Sequence, residues 1–154
     1  MPAIDTSIDI AAAPSRVWSV LTDFAAYPEW NPFITRIAGL PVVGGRLVVT
    51  IQPPGRKAMM FRPIVLAATP EVELRWRGRL LMPGLFDGEH VFRISPDGDG
   101  CRLDHGEVFT GLLSGLLGGT LPATRRGFVA MNEALKARAE SLAVPAPGSS
   151  VKSS

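Results

Sequence analysis

The chain has 154 residues, the length of one ordinary domain, which excludes most two-domain enzyme architectures while permitting a core that buries about 70% of the unfolded surface. Apolar residues make up 46%, which excludes general disorder, and 16 Lys plus Arg against 14 Asp plus Glu leave a net charge of only +2. That balance is too even for attraction to nucleic acid or anionic lipid to lead, and the one cysteine, Cys101, excludes an internal disulfide or a multi-cysteine zinc site.

The opening MPAIDTSIDI lacks the basic-then-apolar pattern of a secretion signal. No apolar run approaches the ~18 residues of a membrane span. A cytoplasmic protein without integral membrane association is therefore expected. In residues 3–10, Ile4, Ile8 and Ile10 alternate with Asp5, Ser7 and Asp9, the period of a half-buried strand. Pro14 opens a helix with Val17, Trp18 and Leu21 on one side, and Asp23 is placed to cap a second short turn before Pro28. Pro32 and the glycines at 39, 44 and 45 then cut the chain into short extended pieces.

Five further strands are predicted. Leu47, Val49 and Ile51 share a face in 46–52, and 58–68 is apolar nearly throughout, without a legible inward face. Val72, Leu74, Trp76 and Leu80 alternate with Glu71, Glu73, Arg75, Arg77 and Arg79 in 71–80, so one face is covered and one is wet. In 85–95, Phe86, His90, Phe92 and Ile94 face one way, and in 101–110 so do Cys101, Leu103, His105, Glu107 and Phe109. The glycine-broken apolar stretch 111–122 predicts a loop or interrupted helix. Residues 123–143 turn helical in period, with Phe128, Met131, Leu135 and Leu142 on one stripe. One domain over 1–143 and a disordered polar tail over 144–154 are expected. Strands, two short helices and a long terminal helix covering one sheet face make an α+β fold.

The segments IDIAAAPSRVWSVLTDFAAYPEWNPFI (8–34), EHVFRISPDGDGCRLDHGEVFTG (89–111) and RRGFVAMNEALKARAE (125–140) resemble the SRPBCC or START-like superfamily, in particular its polyketide cyclase/dehydrase and lipid-transport branch. The resemblance runs over roughly residues 3–143. It implies a helix-grip fold, in which a curved antiparallel sheet wraps the long terminal helix and encloses a cavity, and it leaves the function open among lipid or hormone carriage, polyketide cyclisation and assembly partnership.

The 85–110 hairpin concentrates the polar chemistry. With Pro96–Asp99 as a four-residue turn, Ser95 pairs with Gly100, Phe92 lies across from Leu103, His90 across from His105, and Gly88 across from Glu107. Both histidines of the chain and one carboxylate then face the helix and cavity. They read as a satisfied buried cluster, as polar contacts that orient a ligand, or as an acid–base set with Glu107 as base and His105 or His90 beside it. Apolar lining is expected from Trp30, Phe33, Trp76, Phe86, Phe92, Phe109, Phe128 and Met131, with Trp30 and Phe33 on one lip. Loop 111–122, rich in glycine and leucine, reads as a gate or as packed connection. The row Arg75, Arg77, Arg79 reads as solvated strand surface, and no nucleic-acid partner, metal or cofactor is expected. No phosphate-cradling glycine motif or GxSxG elbow is present. The leading expectation is a cavity for a hydrophobic or amphipathic small molecule. The alternatives are a cofactor-free cyclase or dehydratase using the same cavity, and an interaction module whose interior is filled.

Overall fold

The structure, a computed structural model, describes residues 3–79, 87–111 and 119–143, apart from the side chains of Leu142 and Ala143. Phe86, Leu80, most of loop 111–122 and the 144–154 tail lie outside the described residues. The elements in chain order are β1 (Ala3–Ile10), α1 (Pro14–Thr22), a turn of 3₁₀ helix (Phe24–Ala26), α2 (Tyr27–Trp30), β2 (Ile34–Ala38), β3 (Val48–Ile51), β4 (Met59–Phe61), β5 (Ile64–Thr69), β6 (Glu73–Arg79), β7 (Asp87–Asp97), β8 (Gly100–Thr110) and α3 (Leu121–Ala143). A five-stranded antiparallel sheet has the order β1-β8-β7-β6-β5, and a three-stranded sheet the order β2-β3-β4. The protein is an α+β helix-grip fold.

The apolar run 58–68 is two strands, not one. Arg62 and Pro63 break it, so that β4 joins the small sheet and β5 the large one. Pro63 has no N–H to give, but its carbonyl accepts from Leu47 N at 2.9 Å, and Gly44 N and Val65 N bond to Val65 O and Gly45 O. These bonds stitch the lead-in of β3 to the edge of the large sheet. Val72, expected on the covered face, is 53% exposed because it sits in the turn before β6 rather than on the strand.

The β7–β8 hairpin also differs from expectation. Asp97 pairs with Gly100, leaving only Gly98 and Asp99 as the turn. Gly98 has φ +59 at the first central position, the residue choice a tight two-residue hairpin demands. The register is therefore displaced by two: Phe92 lies across from His105, His90 across from Glu107, and Gly88 across from Phe109. A two-residue displacement keeps every side chain on its face, so the inward set is unchanged while the pairings are new.

α3 starts at Leu121, two residues earlier than its pattern indicates, and at 23 residues runs roughly 34 Å. It lays Phe128, Met131, Leu135 and Ala139, all fully buried, on the large sheet. Its C-terminal half is tied to the first strand and the loop after it. Glu140 Oε2 accepts from Ala11 N at 2.8 Å, and Lys136 Nζ bonds Asp9 O at 3.0 Å and Glu140 at 2.6 Å. Among the described residues no helix is long and apolar enough to cross a membrane. On the wet face Arg75 pairs with Glu73 and Glu89, and Arg93 pairs with Glu73, so the arginine row is offset by neighbouring carboxylates.

Gly100 allows the closest backbone approach in the large sheet. A Cβ there would stand 2.3 Å from Ile10 O and 3.2 Å from Ala11 Cα, and backbone cannot swing aside as a side chain can. Gly100→Ala is expected to destabilise the fold by about 1–3 kcal/mol, the usual cost of overpacking. Urea denaturation checks this, through a lowered midpoint at unchanged slope.

Candidate functional site

A cavity of about 560 Å³ opens between the N-terminal end of α3, the small sheet and the β6–β7–β8 part of the large sheet. That volume lies in the range of small-molecule sites. The large sheet contributes Trp76, Gly78, Gly88, His90, Glu107 and Phe109; the small sheet contributes Val49, Ile51, Met59 and Phe61; the helix end contributes Leu121 and Thr124. Among the described residues the interior is thus hollow at this end. The hollow follows from a local choice in sequence. Gly78 and Gly88 are directly paired across β6 and β7 at positions whose side chains would point inward. A Cβ on Gly78 would meet nothing closer than Pro63 Cβ at 3.9 Å.

Asn31 aims Phe33 into the cavity wall. Its Oδ1 accepts from Phe33 N at 2.9 Å and Ile34 N at 2.8 Å, turning the chain sharply into β2. Gly127 of α3 leaves room for the ring, since a Cβ there would lie 2.3 Å from Phe33 Cδ1. Trp30 does not join Phe33. It packs edge-on against Tyr27 at 5.1 Å and borders a separate small cleft with Arg16 and Arg138. The two expected lip residues, Trp30 at the end of α2 and Phe33 in the bend before β2, therefore border different hollows. Tyr27 itself is buried with its hydroxyl donating to Leu21 O at 2.5 Å, and burial pushes its ionisation far up.

Phe92, Phe128 and Met131, expected as lining, are fully buried and lie behind the cavity, in the solid core where the middle of α3 meets the sheet. His105 lies there too. Its ring is stacked between Phe128 at 4.1 Å and Phe92 at 4.3 Å. His90 stacks on Trp76 at 5.0 Å and does reach the cavity, as does Glu107. The polar groups form a chain. Glu107 Oε1 stands 3.3 Å from His90 Nδ1, His90 Nε2 is 2.7 Å from His105 Nε2, and His105 Nδ1 is 2.8 Å from Asn132 Oδ1. Asn132 Nδ2 donates to Thr6 Oγ1 at 2.9 Å, and Thr6 Oγ1 donates to the His105 carbonyl at 2.7 Å. The Glu107 end opens on the cavity, with its side chain 18% exposed, and Thr6 at the far end is partly exposed on the other side of the chain's buried middle. A Cβ on Gly88 would lie 2.4 Å from Glu107 Oε2, so that glycine also makes the room in which the carboxylate sits.

Asn132 and Thr6 were not legible as site residues, since nothing in the sequence brings a mid-helix Asn to the first strand. Arg56 and Lys57 were also missed. They are exposed and stand at the cavity's rim in the loop after β3, where Arg56 Nη2 donates to Gly119 O at 2.9 Å and so ties that loop to the entry of α3. A basic pair beside a turn proline and glycine has no sequence signature of its own. Cys101 is buried, its thiol pushed up by that burial, as an inert core residue would be.

A family model described as polyketide cyclase/dehydrase and lipid transport matches residues 1–140. The chain belongs to this family. No curated protein matches it in sequence. Among solved structures, a Thermus thermophilus protein is similar over 92% of this chain and 99% of its own, at TM-score 0.72 and 17% identity. The di-domain ARO/CYC StfQ from the steffimycin biosynthetic pathway is similar over 92% of this chain, which spans only 51% of that one, at TM-score 0.68 and 17% identity. Norcoclaurine synthase from Thalictrum flavum, solved with dopamine and hydroxybenzaldehyde, is similar over 91% of this chain and 87% of its own, at TM-score 0.69 and 14% identity. At such identities the likeness establishes the fold alone.

Burial holds the His105 imidazole well below its ordinary pKa, His90 beside it acts in the same direction, and the bond to Asn132 opposes them. An unfolded histidine takes up a proton below about pH 6.5, whereas native His105 resists it. Stability is then full above that pH and falls on acidification, with a limiting slope of about 1.4 kcal/mol per pH unit. Denaturant melts at a series of pH values are expected to show this acid loss in the wild type and a flatter profile in His105→Phe. Parallel profiles would contradict the assignment.

Proposed function

We propose that the chain binds an apolar or amphipathic small molecule in the cavity, with the ligand's polar group at His90 and Glu107. The observation that carries this reading is the paired glycines Gly78 and Gly88, which hollow the sheet beside the one accessible carboxylate of the polar chain. A fold stabilised by burial alone fills such a space, because an empty volume costs stability. Here the sheet withholds two side chains where an ordinary strand would place valine or isoleucine. Phe33, Trp76 and Phe109 are the apolar contacts, and ligand burial supplies affinity at about 25 cal/mol per Å². Phe92, His105, Phe128 and Met131 support that surface from behind. The family's breadth is consistent with this reading and does not choose the ligand.

A second reading is favoured by one contact. Glu107 faces the cavity with His90 Nδ1 at 3.3 Å, an ion-pair contact that a bound substrate would tighten to proton-transfer reach. A cofactor-free cyclisation or dehydration would use Glu107 as the base and His90 as its partner, with His105 behind rather than at the substrate.

The apolar fluorophore N-phenyl-naphthylamine tests the cavity. The wild type is expected to bind it in a saturable way, and Gly78→Phe, whose ring fills the space, to weaken binding roughly tenfold or more, as loss of a buried aromatic contact does. Thermal melts should show Gly78→Phe still folded. Absence of binding to the wild type, or equal binding by the filled variant, would remove the cavity from the function.

A further inference from the structure

The polar chain behind the cavity has a direction, and the direction is set at its far end. The Thr6 hydroxyl has one proton, and it goes to the His105 carbonyl, which can only accept. Thr6 Oγ1 therefore meets Asn132 with a lone pair, and Asn132 must turn its amide N–H₂ toward it. That leaves Asn132 Oδ1 facing His105 Nδ1, so this nitrogen carries the proton. With both faces covered by Phe92 and Phe128, the His105 ring stays neutral and its Nε2 is bare. Two nitrogens 2.7 Å apart need one proton between them, and it must come from His90 Nε2.

His90 has then spent its Nε2 proton, and the nitrogen facing Glu107 is Nδ1. A bare Nδ1 lone pair against a bare carboxylate at 3.3 Å is repulsive in a half-dry pocket. The contact becomes attractive when the pair takes up one further proton, as protonated carboxyl and neutral imidazole or as carboxylate and imidazolium. Either form is electrically neutral overall. The stacked Trp76 face also accommodates the imidazolium form. Without the constraint from Thr6 and Asn132, His105 and His90 would both be free to reverse. His90 would then offer a neutral Nδ1–H to Glu107, and the end of the cavity would carry a full negative charge.

We propose that Thr6 and Asn132 are positioning residues which, through His105, oblige the His90–Glu107 pair to hold one exchangeable proton. The polar end of the cavity is thereby neutral and takes an uncharged oxygen group, a hydroxyl or carbonyl on an otherwise apolar molecule, in preference to an amine. This rests on the cavity being a ligand site; the proton arrangement itself does not.

Two measurements separate these. Long-range proton–nitrogen NMR correlations of the imidazole rings are expected to show His105 protonated at Nδ1 and bare at Nε2 in the wild type and in Thr6→Ser. In Asn132→Leu, and in Thr6→Val should that variant fold better, the proton moves to Nε2. His105 protonated at Nε2 in the wild type, or unchanged in both variants, overturns the positioning role whatever the cavity binds.

The second measurement is calorimetric titration near neutral pH in two buffers of different ionisation enthalpy. The probes are naphthalenemethanol and naphthylmethylamine in its ammonium form. The wild type is expected to favour the alcohol and to release about one proton per ammonium bound, since the pair must shed its own proton to face a cation. Asn132→Leu should bind the ammonium roughly fivefold more tightly than the wild type, with release near zero. Equal release by the two proteins overturns the inference while leaving the cavity reading intact. Failure of both probes to bind the wild type overturns the cavity reading and the ligand preference drawn from it, and the ring protonation pattern still decides the positioning role.

Discussion

The stack of Phe92, His105 and Phe128 is the contact on which the rest of the interior depends. Phe92 and His105 come from neighbouring strands and Phe128 from the terminal helix, with the His105 and Phe128 planes 3° apart. Helix and sheet are thereby fixed in azimuth and along the helix axis, because a flat ring over a flat ring tolerates little rotation. One turn further along α3, Asn132 then meets His105 at hydrogen-bond distance. The helix C-terminal to this point packs on the sheet without a gap, through Leu135 and Ala139, while N-terminal to it the helix lifts away and leaves the cavity. An imidazole in the middle of an apolar stack is an expensive choice, since burial opposes its charge and both nitrogens demand partners. His90 and Asn132 supply those partners.

The two halves of the interior follow different rules. In the solid half the inward side chains, large and small, pack against one another and the contacts close with few openings, as in any protein core. In the hollow half the inward positions of β6 and β7 carry glycine side by side, and the space is roofed by a second small sheet rather than by the helix. The polar chain crosses from one half to the other. Its anchored end, at Thr6 and Asn132, lies between β1 and α3, away from the cavity. Its chemical end, at Glu107, lies at the hollow. A group whose protonation must be controlled is best held by residues that do not themselves move when a ligand enters.

Much of this was legible in the sequence because it depends on local period. The inward faces of β1, β6, β7 and β8 follow from strict alternation, and the membership of His90, His105 and Glu107 on one face follows with them. The family resemblance supplied the cavity between sheet and helix. The pairings within the hairpin were not legible, because Pro96 and Asp97 look like turn residues and are strand residues. Pro96 is tolerated because its missing N–H would point past the end of β6, whose last partner on that side is the Val72 carbonyl bonded to Ile94. The division of 58–68 was hidden for a different reason. A run that is apolar on both faces carries no period to read, and the break at Pro63 becomes informative only once two sheets are known to exist. Trp30 and Phe33, three residues apart, were assigned together. The Asn31 turn that separates them is a side-chain-to-backbone device that periodicity does not register.

The separation of lining from support changes what the histidines do. Read from sequence, both imidazoles belong to the ligand's surroundings. In the fold only His90 borders the cavity, and His105 serves as its fixed acceptor, one layer back. A single histidine beside a carboxylate would choose its tautomer to suit the carboxylate, donating Nδ1–H and leaving a negative site. A second histidine alone would change nothing, since the bond between two rings can run either way. It is the third and fourth members, an amide and a hydroxyl with one proton already committed to a carbonyl, that remove the freedom of the other two. The charge presented to the hollow is thus settled by residues on the first strand and the last helix, 126 positions apart in the chain. The fold brings them together only because the sheet curls its first strand beside its last and closes the helix over both.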